Sequence, residues 1–141
     1  MSVSSSHGPL PFRRMLRFFA VAAWCGVIFV ASDQPNLRVS QDDLADFILR
    51  KSAHLVVFGV LAALVAGAMK PRGIPSLPVV AVAWAATVVY AVTDEWHQTF
   101  VRGRSGEARD VMIDAIGAVF GLLVLVAWRR TRSTTRQERS S

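Results

Sequence analysis

Cysteine and charge are both scarce in this chain. Its one cysteine, Cys25, excludes a disulfide-stapled secreted domain. Only 18% of its 141 residues are charged, against about 25% in ordinary soluble domains, which argues against a soluble enzyme. Segment 77–93, LPVVAVAWAATVVYAVT, carries no charge at all. It also lacks the polar stripe that a soluble amphipathic helix repeats every 3.6 residues or so. There is no long internal repeat, and the length admits one domain. What replaces charge is apolar surface. Apolar residues make up 52% before the nine glycines are added, above the usual 45–50% or so that includes glycine. A disordered chain is excluded on that ground.

The apolar residues fall into four blocks, which predict an all-α, four-helix transmembrane bundle with spans of about residues 15–32, 52–69, 77–93 and 110–128. Each block is slightly shorter than the ~20 residues of an ideal span, and flanking residues complete it. Four such spans use most of the chain and leave little for an extramembrane domain. Arg13, Arg14 and Arg17 precede the first block as basic residues precede an export signal. No A-x-A cleavage site follows, so the first helix is expected to stay uncleaved. The ends, residues 1–12 and 131–141, are rich in Ser and Arg and read as disordered tails.

Lysines and arginines set the expected orientation. Ten of them, including Arg13, Lys70 and Arg129, fall on the side that holds both termini, and six fall on the other side. The positive-inside rule then places both termini in the cytoplasm. The net charge of +6 reflects that orientation, and the basic C-terminal tail suits anionic headgroups. Without aromatic interleaving the basic residues do not read as a nucleic-acid surface. Trp96 and Trp128 suit interfacial anchoring, Trp24 and Trp84 suit packing within spans, and Cys25 reads as an apolar filler.

The two outward connections hold most of the remaining polar residues. Segment 41–51 admits a short interfacial helix with Leu44, Phe47 and Ile48 on one side. Segment 94–110, DEWHQTFVRGRSGEARD, is too dense in acids, bases and amides for a simple connector. Asp94 and Gln98 lie about 40° apart on a helix, and Lys51 and His54 are three residues apart. Asp110, Asp114, Gly117 and Gly121 share an arc of about 60°. The two acids therefore face the side where glycines permit close helix packing, as does the Gly59, Ala63, Gly67 series. An acid at a span centre costs about 2.5–3.5 kcal/mol on insertion scales. Asp114 lies about 6 Å below Asp110, closer to the interface, and still calls for a partner.

Together these residues form a pattern: K-x-x-H (Lys51, His54), D-E-x-x-Q-x-F (Asp94, Glu95, Gln98, Phe100), G-R (Gly103, Arg104) and D-x-x-x-D-x-x-G-x-x-x-G (Asp110, Asp114, Gly117, Gly121). It resembles the VanZ-like family over about half the chain, from Lys51 to Gly121. Two positions depart from that pattern: many members carry Asn at the position of Asp114, and often Pro at that of Arg102. The resemblance implies a small bacterial integral membrane protein of the cell envelope. The founding member is linked to low-level teicoplanin resistance, and the family has no agreed molecular activity. The enzyme name phosphotransbutyrylase, attached to some members, finds no nucleotide or coenzyme site here.

The polar residues admit three readings. In the first, Lys51, His54, Arg104 and Arg109 pair with Asp94, Glu95, Asp110 and Asp114 and lock three helix ends. In the second, Arg104, Lys51 and Arg109 hold phosphate or carboxylate groups of a lipid-linked envelope precursor or a lipoglycopeptide. In the third, the protein is a membrane enzyme or metal-dependent hydrolase using His54, Glu95 and Asp110, with His97 a further candidate ligand. No known metal-ligand spacing such as H-E-x-x-H occurs. No metal and no cofactor are therefore expected, and the catalytic residues, if any, stay unassigned. The expected partners are the lipid bilayer and a lipid-borne envelope molecule, with no nucleic acid. His97 itself reads as a solvated residue of the connection, whereas His54, alone in an apolar stretch, is expected to be partnered.

Overall fold

Apolar runs this long satisfy their backbone in lipid by forming helices. The computed structural model describes residues 10–35, 40–70, 72–104 and 106–138. It holds four helices, α1 (Leu10–Ser32), α2 (Asp43–Met69), α3 (Leu77–Gln98) and α4 (Ala108–Glu138), and no strand among those residues. All four are long and apolar enough to cross a membrane. Even the shortest, with 22 residues, reaches about 33 Å at 1.5 Å per residue, enough for a hydrocarbon core of about 30 Å.

Several boundaries differ from the sequence reading, α3 for example running on to Gln98. Segment 41–51 is not a separate interfacial helix: α2 runs unbroken from Asp43 to Met69 and absorbs most of it. The cause is local. Asp42 caps the helix, its Oδ1 accepting the N–H groups of Leu44 and Ala45 at 2.9 Å each. Asp43 and Asp46 follow in the first turn, where the helix dipole favours acids. No glycine or proline interrupts the chain before Gly59. Leu44, Phe47 and Ile48 remain exposed on its flank. At the other end, α4 continues to Glu138 where a disordered tail was expected from residue 131. Thr131 and Ser133 turn their hydroxyls back onto the carbonyls of Trp128 and Arg130 at 2.9 and 2.7 Å. α1 likewise begins at Leu10, inside the expected N-terminal tail. The rest of the tail expectation, at residues 1–9 and 139–141, lies outside the described residues.

α2 is the central helix. It packs against each of the other three, most extensively along α4. Small residues set that contact. A Cβ on Gly121 would stand 2.6 Å from Gly59 Cα, and one on Gly117 would stand 2.8 Å from Leu55 Cα. Both distances are far inside ordinary contact, so the two backbones touch at glycine. Gly67 is different: a Cβ there would meet only the end of the Arg129 side chain, at 3.5 Å. The core is correspondingly narrow. One cluster is Ala62, Ala66, Ala83, Ala118 and Leu122, and the other is Ile28, Phe58, Leu61 and Ala91.

Polar side chains within the spans pair with helix carbonyls. Trp24 Nε1–H donates to Val57 O at 3.0 Å, Trp84 Nε1–H to Ala115 O at 3.2 Å, and the Tyr90 hydroxyl to Cys25 O at 2.7 Å. These bonds tie α1 to α2, α3 to α4 and α3 to α1. At the end that holds the α2–α3 connection, Arg129 Nη1–H donates to Lys70 O and Gly73 O at 2.6 and 2.9 Å. It satisfies a carbonyl just past the C-terminus of α2.

Candidate functional site

The opposite end of the bundle gathers the C-termini of α1 and α3 with the N-termini of α2 and α4. Each helix supplies polar side chains there. Lys51 of α2 pairs with Asp110 of α4 through Nζ and both carboxylate oxygens. One turn deeper, His54 Nδ1 lies 3.1 Å from Asp114 Oδ1. These two links repeat the Lys51–His54 spacing on α2 against the Asp110–Asp114 spacing on α4, just above the glycine contact.

From α3, Asp94, Glu95 and Gln98 are all buried. Gln98 Nε2–H donates to Asp94 Oδ2 at 3.0 Å, and its Oε1 accepts a bond of the same length from Arg104 Nη1–H. Glu95 Oε2 accepts the Glu107 N–H at 2.9 Å, so a buried carboxylate caps the start of α4. The chain passes close enough for this because residue 106 is glycine: a Cβ there would stand 2.8 Å from Thr99 Cγ2. Gly103, at φ +80°, makes the left-handed turn that brings Arg104 back over α3.

A cavity of about 340 Å³ opens beside this network, within the size range of small-ligand pockets, about 300–1,000 Å³. Its wall includes Ser32 of α1, Lys51 and His54 of α2, Gln98 of α3 and Arg104 in the connection. The basic residues there differ in how they are engaged. Lys51 is held by Asp110, Arg50 by Asp46 at 2.9 Å, and Arg109 by Glu107 at 3.0 Å. Phe47 lies between Lys51 and Arg109, with their charged groups 5.5 and 5.6 Å from its ring centre. Arg104 alone of the four pairs with no carboxylate among the described residues. Its bond to Gln98 fixes it and leaves most of its donor fork unused.

Lys51, His54, Asp94, Glu95, Gln98, Arg104, Asp110 and Asp114 thus gather at one end, as two pairs and a set joined through Gln98. Arg109 lies at their rim. Gly117 and Gly121 lie below them, in the α2–α4 contact. The pairing differs from the triads considered for chemistry. Asp110 is engaged by Lys51, and Asp114 is the acid that stands with His54 and Glu95. Nor is His97 simply solvated. It packs on Phe29 with ring centres 4.5 Å apart, and its Nε2 lies 3.3 Å from Asp33 Oδ1 without hydrogen-bonding geometry. Ser32 was not singled out by its sequence, yet its hydroxyl donates to Asp94 Oδ2 at 2.8 Å and joins α1 to the network. Its position at the polar end of the first span was the available signal.

Four apolar helices with ionisable side chains buried at one end define a multi-pass membrane protein. The family model described as VanZ/LLP1 matches residues 5–129, and the chain belongs to that family. No curated protein and no solved structure matches it.

Proposed function

We propose that this protein captures the anionic headgroup of a lipid-borne envelope molecule at the outer face of the bacterial plasma membrane. The observation that carries the reading is Arg104: a half-buried guanidinium on a cavity wall, held by an amide, with no acid paired to it among the described residues. A planar fork of this kind suits bidentate phosphate or carboxylate recognition. Lys51–Asp110 and the Glu95 cap then serve as the frame that positions it. A lipid-linked precursor or a lipoglycopeptide combines such an anion with an acyl or prenyl chain, and the exposed apolar flanks of the bundle suit that chain. This agrees with the teicoplanin link of the founding member. The structural reading accounts for the paired residues but leaves the orientation of Arg104 without a role.

The test measures binding of a polyprenyl diphosphate-linked precursor and of teicoplanin to the protein in nanodiscs. Arg104→Lys should weaken the bound species at least tenfold, about 1.4 kcal/mol, with an unchanged melting temperature, because lysine cannot reproduce the fork. Equal binding by parent and variant would overturn the reading.

The orientation is part of the proposal. In a Cys25→Ser background, single cysteines at Ser40 and Ser105 should react with an impermeant thiol reagent in intact cells. Cysteines at Ser76 and Ser133 should react only after permeabilisation. External labelling at Ser133 would invert the topology and place the cavity on the cytoplasmic side.

A further inference from the structure

Three buried acids, Asp94, Glu95 and Asp114, stand at this end of the bundle with no lysine or arginine paired to any of them among the described residues. Lys51 answers Asp110, and Arg104 answers Gln98. A buried carboxylate that stays ionised needs a compensating positive charge. Ser32 and Gln98 bring them neutral donors, and among the described side chains the one titratable base hydrogen-bonded to any of them is His54, at Asp114.

We propose that His54, Glu95 and Asp114 form a binding site for one divalent transition-metal cation of the zinc or manganese type. The three come from α2, α3 and α4, and each offers one ligand atom within 4.8 Å of the others. Ligand atoms around a metal at about 2.1 Å stand about 3–4 Å apart, so a small rotation of the side chains closes the set. A second observation points to the same place. Asp114 is fully buried, its Oδ1 faces His54, and its Oδ2 has no hydrogen-bond partner. A lone pair left idle on a fully buried carboxylate is what a metal ligand requires; Asp94 Oδ1 is idle too, but Asp94 is not grouped with the three donors. Glu95 keeps its position through the Glu107 N–H, which leaves further lone pairs on its carboxylate. Such a hydrogen bond orients a ligating carboxylate. His54 stands in the cavity wall, which provides an entry path from the polar end.

The donor set favours a borderline cation. One imidazole with two carboxylates suits zinc or manganese better than calcium or magnesium, which take oxygen donors alone. The site does not depend on anion capture at Arg104: the ligands and the guanidinium are different residues, and the test below contains no lipid-borne anion.

The experiment uses the full chain with a tag free of histidine, purified in detergent, stripped with EDTA and then desalted after incubation with ZnCl2, MnCl2, MgCl2 or CaCl2. Metal content by mass spectrometry should approach one zinc or manganese per chain, with little magnesium or calcium, and the melting temperature should rise with zinc or manganese. Glu95→Gln and Asp114→Asn are nearly isosteric and should each lower retained metal at least tenfold, while His97→Ala retains it as the parent does. The parent measurement decides the question even where a variant fails to fold. A parent chain that retains no zinc and no manganese would overturn the proposal, and so would equal loss in His97→Ala.

Discussion

Gly121→Val should leave little folded protein in the membrane. The added Cβ would start 2.6 Å from Gly59 Cα, and the neighbouring atoms are backbone, which cannot swing aside as a side chain would. α2 and α4 must then separate along their main contact, which opens the alanine cluster of Ala62, Ala66 and Ala118 and pulls His54 from Asp114. Overpacking a close-packed interior costs about 1–3 kcal/mol and more where backbone must move, so this position should lie at or above the top of that range. The control is Gly26→Ala in α1, where a Cβ meets nothing within 4 Å, and a helix propensity gain of up to about 1 kcal/mol is available. Membrane abundance and thermal melting of the two variants check the expectation. A Gly121→Val protein that melts like the parent would show that the two helices are not held at this spacing.

Asp114→Leu should be the second severe substitution. The aspartate is fully buried and its Oδ1 meets the His54 ring nitrogen at 3.1 Å. Leucine removes that oxygen and leaves the imidazole without its partner, at a cost of about 1–3 kcal/mol. Asn keeps one acceptor oxygen in nearly the same shape. Asp114→Asn should therefore melt close to the metal-free parent while Asp114→Leu falls well below it. Comparing both variants after chelation separates the hydrogen bond from the negative charge. If the Asn variant falls as far as the Leu variant, the charge itself holds the three helices together.

The spans were legible because apolar runs of this length have few other outcomes, and the glycine contact was legible because Gly117 and Gly121 share a face with Asp110 and Asp114. Pairing between helices was only partly legible. Helical spacing orders residues along one helix, but it does not say which acid of α4 meets which base of α2. That depends on the axial offset of the two helices, which puts Lys51 opposite Asp110 and His54 opposite Asp114. The same limit set Asp110 in place of Asp114 beside His54 and Glu95, since donors drawn singly from three helices leave no local motif. Asp42 was visible in the sequence, but its capping decides that residues 43–51 begin a span, and segment 41–51 read alone looked like an interfacial helix. His97 was misread because its neighbours Phe29 and Asp33 belong to a distant part of the chain.

The placement of α1 bears on how the protein is made. It leaves the ribosome before the other three, yet its backbone approaches α2 and only the edge of α3, and none of α4. The partners of its Trp24 indole, its Cys25 carbonyl and its Ser32 hydroxyl are Val57, Tyr90 and Asp94, all synthesised later. α1 must therefore wait in the bilayer as a separately inserted helix, stable through its lipid contacts alone. It can dock fully only once α3 has followed α2 into the membrane. Its docking thus follows the insertion of α3 and needs nothing from α4, whose extensive contact with α2 forms last.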